Sequence, residues 1–187
     1  ADSVILKEYR YGGFGFRATP DWNDQNSRVL TSEGKTRKDA DATRARWCMI
    51  DGDVGGGHSG ILFMDYPANY NFPEPMRVWP EKMNGRGDVF FSFSPTRNMS
   101  WTLMPDKRYV LKYRMLVYDG SISPKLAEDT WKSFSHPPEM TIQNFHLPSY
   151  FILFITAHEQ KKNKRLSAGA GFPDIHFIFL RHGEAGG

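Results

Sequence analysis

The residues best suited to acid–base chemistry and sugar binding are concentrated between residues 58 and 80, HSGILFMDYPANYNFPEPMRVWP. An imidazole that titrates near neutrality (His58) is followed by a carboxylate (Asp65), an amide (Asn69), a guanidinium (Arg77) and an indole (Trp79). Hydrolysis or isomerisation at an anomeric carbon needs a proton donor and an acceptor on opposite sides of the sugar ring. His58 is the candidate donor, with Asp65 or the more distant Glu33 as acceptor. Arg17, Arg77 and Asn69 are suited to hydroxyls, and Trp47 and Trp79 to stacking on the apolar face of a sugar. The same residue types also fit an ordinary connection whose rings cap the core, with His58 as a structural histidine.

Four prolines (Pro67, Pro73, Pro75 and Pro80) run through this stretch. Each fixes its own φ and biases the preceding residue toward extended backbone, so the loop is expected to be stiff. A stiff loop presents its side chains at low entropic cost.

Other motifs carry less. Gly52–Ser59 (GDVGGGHS) imitates a phosphate-binding loop, but a histidine replaces the lysine and a strand follows where a helix is required. Asp51 and Asp53 beside glycines lack the downstream carboxylate of a calcium loop, and a hairpin turn is the better reading. Arg86-Gly87-Asp88 is a triplet common by chance, and Asn98-Met99-Ser100 is a glycosylation sequon. Near the end, Arg181-His182-Gly183-Glu184 resembles the opening of histidine phosphatases, with His182 as nucleophile, yet three residues remain where that fold needs over a hundred.

These residues must be positioned by a mostly β framework. The 187 residues suffice for about one domain, and an aromatic content of 14% favours strands. The net charge is +3 with both signs interleaved, which argues against a nucleic-acid partner. A lone cysteine, Cys48, rules out an internal disulfide and a multi-cysteine metal site, and no cofactor is expected. The longest apolar run, Tyr150–Ala157, is too short to span a bilayer. The chain begins at Ala1 without methionine or signal pattern and reads as processed or as a fragment. Its oligomeric state is left open.

Strands are expected on both sides of the Gly12-Gly13 turn, over ARWCMID, at Ile61–Met64, and over DVFFSFS, SWTLMP and RYVLKYRMLVYDG. Trp47 and Met49 alternate with Cys48 and Ile50, which implies burial on both faces. Residues 19–45 read as a solvated excursion. One short helix is expected near 124–135, with Pro124 at its start and Leu126, Ala127, Trp131 and Phe134 as its apolar stripe. Residues 1–142 form the β domain, and 143–187 are a tail of different texture.

Several segments resemble the methane-oxygenase-like (PmoA) family: YGGFGFRATPDW (11–22), VLTSEGKTRKDAD (29–41), RARWC (44–48), YPANYNFPEPMRVWP (66–80), NGRGDVFFSFSPT (84–96), YVLKYRMLVYDG (109–120) and the W-x-x-F-S-H-P-P ending (131–138). Residues 4 to about 139 are similar to that family's C-terminal half. The resemblance implies export and an antiparallel β-sandwich, half of a galactose-mutarotase-like supersandwich and so part of a larger domain. The family's name implies no activity here, since methane oxidation needs transmembrane helices and metal ligands. The expected function is binding or acid–base processing of a carbohydrate or glycoside, with a non-catalytic sugar-binding or interaction module as the alternative.

Overall fold

The computed structural model describes residues 2–137 and the backbone of 175–179. The strands in chain order are β1 (Val4–Leu6), β2 (Phe14–Arg17), β3 (Ser27–Thr31), β4 (Trp47–Val54), β5 (Gly57–Asp65), β6 (Met76–Val78), β7 (Phe90–Phe93), β8 (Trp101–Leu103), β9 (Tyr109–Asp119) and β10 (Ile175–Phe179). The helix α1 spans Pro124–Ser135. They form three antiparallel sheets and no closed barrel: β10-β9-β5-β4-β3, β2-β7-β6, and a β1-β8 ribbon. The RHGE motif lies outside the described residues, as does the tail apart from the backbone of β10.

The large and the three-stranded sheet pack as a β-sandwich, as expected. Cys48, Ile50, Phe63, Leu111 and Tyr113 of the large sheet share one buried cluster with Met76, Val78, Phe91 and Phe93. The rings interlock at 5.0 Å for Phe63–Phe91 and 5.0 Å for Phe14–Tyr113. Each such side chain contributes about 1.5–3 kcal/mol by leaving water. On the other face of the large sheet Trp47, Met49, Leu62 and Met64 are covered by Ala127, Trp131 and Phe134 of α1. Alternation in β4 thus sends successive residues into two different cores, which is why that strand carries so few polar residues. Ser123 caps the helix by accepting from the Leu126 amide (3.1 Å), and Pro124 follows it in the first turn, where its missing N–H costs nothing.

Two expectations are corrected. The strands flanking Gly12-Gly13 do not pair with each other: β1 pairs with β8 and β2 with β7. The Tyr9 amide instead donates to the Thr96 carbonyl (3.0 Å), which carries the chain from the ribbon to the sandwich. The charged stretch 32–45 is also not simply solvated. Ala40, Ala45 and Arg37 are buried, and Arg37 donates to the carbonyls of Trp79 (3.3 Å), Pro80, Gly87 and Asp88 (2.9 Å each). A buried guanidinium has five donors to satisfy, and the 79–88 loop supplies the acceptors.

Candidate functional site

The eight residues singled out from sequence fall into four places. His58 stands at the start of β5, directly across from Asp53 of β4. Its Nδ1 lies 2.7 Å from Asp53 Oδ1 and its Nε2 3.3 Å from Asp51 Oδ1. Asp51 is fully buried and also accepts two bonds from Arg28 (2.6 and 3.0 Å) and one from Tyr118 (3.3 Å). Arg28, Asp51, Gly60 and Tyr118 are successive partners across four strands. Only glycine fits at 60, because a Cβ there would collide with the Tyr118 ring that reaches over it. The hydrogen bond to Asp53, then the charge of Asp51, hold the His58 imidazole above its ordinary range.

Glu33 and Trp47 belong to the helix-docking site. Arg46 bridges Glu33 (3.4 Å) and Glu128 of α1 (3.2 Å), and its guanidinium lies 5.2 Å from the Trp131 ring centre. The Trp47 indole is 3% exposed and donates to Glu128 at 2.9 Å, so its ring offers no stacking face to solvent.

Asp65 and Asn69 lie in the interior. Asp65 accepts from the Asn69 amide (2.8 Å) and the Glu74 backbone N–H (2.8 Å). Glu74 is equally buried; its Oε1 accepts from the Tyr113 hydroxyl at 2.7 Å, while its Oε2 has no partner. Burial raises both carboxyls, Asp65 to about 7, and the neighbouring charge of Asp65 adds to the rise at Glu74. Asn69 further exchanges hydrogen bonds with the Lys112 backbone (2.7 Å each), which ties the proline loop to β9.

Arg17, Arg77 and Trp79 are brought together. Phe14 and Phe16 pack into the core, whereas Arg17, on the opposite face of β2, is exposed and lies 4.5 Å from the centre of Trp79 and 6.0 Å from Phe90. Arg77 pairs with Asp41 (2.7 Å), which also holds Arg97 (2.9 Å). Tyr11 completes the cluster. Its hydroxyl accepts from the Trp79 indole (3.1 Å), and both Arg10 and Arg77 place guanidinium carbons 5.4 Å from its ring centre. Hydrogen bonds from Arg77 and then Trp79 lower the Tyr11 phenol from its usual range.

Tyr11 also lines a cleft of about 360 Å³ with Lys7, Tyr9, Thr96, Trp101 and Leu111. Ile5, Leu6, Lys7, Tyr9 and Tyr11 line it, while Glu8 and Arg10 do not. The proline loop supports two of these rings from behind. Tyr70 stacks on Trp101 at 4.3 Å and 4°, and Trp79 holds Tyr11. The sequence reading omitted Tyr9, Tyr11, Asp41, Glu74 and Trp101. For Glu74 a signal exists: an acid between two prolines in an apolar stretch.

No group of three or more His, Cys, Asp or Glu residues able to hold a metal occurs among the described residues, and no helix there is long and apolar enough to cross a membrane.

Fold and cluster together define a β-sandwich protein with a ring-lined cleft beside an arginine cluster. The chain belongs to DUF6807, a family of unknown function, whose model matches residues 1–132. This overturns the PmoA resemblance: DUF6807 is the family matched, and nothing points to PmoA. No curated protein and no solved structure matches the chain.

Proposed function

We propose that the protein binds a carbohydrate in the cleft of Tyr9, Tyr11 and Trp101. The observation that carries this reading is the placement of three aromatic side chains around a 360 Å³ space, one of them hydrogen-bonded into the Arg77–Trp79 cluster. Rings offer the apolar contact a pyranose face requires, and Lys7 and Thr96 in the same wall supply donors for hydroxyls.

Binding without catalysis is the form favoured here. The acid–base candidates His58, Glu33 and Asp65 sit in three separate hydrogen-bonded settings, each engaged with its own partners. A donor–acceptor pair must face one substrate, and these three are not brought together.

Calorimetric titration with a panel of oligosaccharides tests the reading. Tyr9, 61% exposed, can be truncated with little structural consequence. Tyr9→Ala is expected to weaken binding about tenfold, near the upper end of a ring-stacking contribution. Absence of binding across the panel, or unchanged affinity in Tyr9→Ala, contradicts it.

A further inference from the structure

We propose that the saccharide is acidic, carrying carboxylate or sulfate groups along its chain; this rests on the carbohydrate reading of the cleft. Lys7 is the single charged residue in the cleft wall, and no carboxylate lines it. Arg10 and Arg17 are exposed beside it, stacked on Tyr11 (5.4 Å) and Trp79 (4.5 Å). Neither they nor Lys7 forms an ion pair among the described residues. Behind them two guanidiniums, Arg77 and Arg97, share the one carboxylate of Asp41, which leaves that group with a surplus positive charge.

The nearby acids do not cancel this field. Glu8 is exposed but outside the cleft wall. Asp88, which feels the charge of Arg17, is already paired with Arg86. Stacking also keeps the Arg10 and Arg17 guanidiniums against rings, with their edge N–H groups free to meet an anion. A neutral sugar needs rings and a few donors. Cations without partners beside those rings add recognition only when the ligand carries negative charge. The Tyr11 phenol is lowered first by hydrogen bonds from Arg77 and Trp79, to which the charges of Arg77 and Arg10 add.

The experiment compares oligogalacturonates with neutral galactan oligomers of equal length on the intact chain, with polyphosphate as a charge-only control. The acidic oligomer is expected to bind about tenfold or more tighter than the neutral one. Its affinity should fall as salt rises from about 0.05 to about 0.5 M, because exposed charges are screened over that range. Arg10→Gln should reduce affinity for the acidic oligomer and leave that for the neutral one unchanged, and Lys7→Gln should weaken the acidic oligomer by the larger factor. Equal or tighter binding of the neutral oligomer overturns the acidic assignment while the carbohydrate reading stands. Polyphosphate binding as tightly as the uronate overturns recognition of a sugar, and binding of neither oligomer overturns both.

Discussion

The Tyr113 hydroxyl donates a 2.7 Å hydrogen bond to Glu74 Oε1 in the sandwich interior, while Glu74 Oε2 has no hydrogen-bond partner. Asp65, by contrast, has both oxygens occupied by donors. The proton retained by this pair therefore sits on Glu74, and Arg44 is the cation whose charge opposes its retention.

A carboxyl raised by folding keeps its proton where the unfolded chain has lost it. Stability is then fullest below the ordinary carboxyl range and falls as pH rises toward the folded value, which for Glu74 lies well above that range. The slope is about 1.4 kcal/mol per pH unit for each proton retained. Glu74→Gln mimics the protonated form and is expected to flatten that decline, measured as urea midpoints between mildly acidic and neutral pH. A variant as pH-dependent as the parent would place the proton elsewhere.

Arg37 spans four carbonyls of the 79–88 loop. Arg37→Ala leaves them without their donor and is expected to cost about 2–3 kcal/mol. Denaturant unfolding gives the magnitude, and faster proteolysis between residues 79 and 88 identifies the loop as the element released. Arg37→Lys, with three donors at most, should fall in between.

Gly60 admits the Tyr118 ring over the sheet to reach Asp51. Gly60→Ala forces that ring aside and is expected to destabilise by about 1–3 kcal/mol. Combining it with Tyr118→Phe should give less than the sum of the two single effects, because both act on one contact. Full additivity would show that the ring and the glycine are not linked.

His58 is raised by Asp53 and Asp51, so its contribution is fully present below its ordinary pKa of 6.5 and disappears as pH rises through the folded value. An imidazole titration followed by NMR should show a midpoint above 6.5 that falls in Asp53→Asn. His58→Asn should reduce stability at acidic pH without altering saccharide affinity.

The sandwich was legible because its strands announce themselves by alternation: Trp47 and Met49 against Cys48 and Ile50, and Tyr113 against Lys112, fall on opposite faces as their spacing requires. The helix was legible from Pro124 and the spacing of Ala127, Trp131 and Phe134. The site was only partly so. Arg17 is distant in sequence from Arg77 and Trp79 and meets them because β2 and β6 flank β7, a pairing that local pattern does not encode. Tyr9 and Trp101 are joined in one cleft through the β1–β8 ribbon, which no turn connects. Asp65 and Trp47 have residue types that suit a binding surface, yet tertiary packing placed both in the interior.

Amide and indole NMR spectra recorded during titration with acidic and neutral oligosaccharides show whether the Tyr9–Tyr11–Trp101 cleft holds the sugar. Saturable shifts are expected at residues 5–13 and 95–101 and at the Trp101 and Trp79 indoles alone. Shifts centred on His58 or Glu33, or none at any ligand concentration, would contradict it.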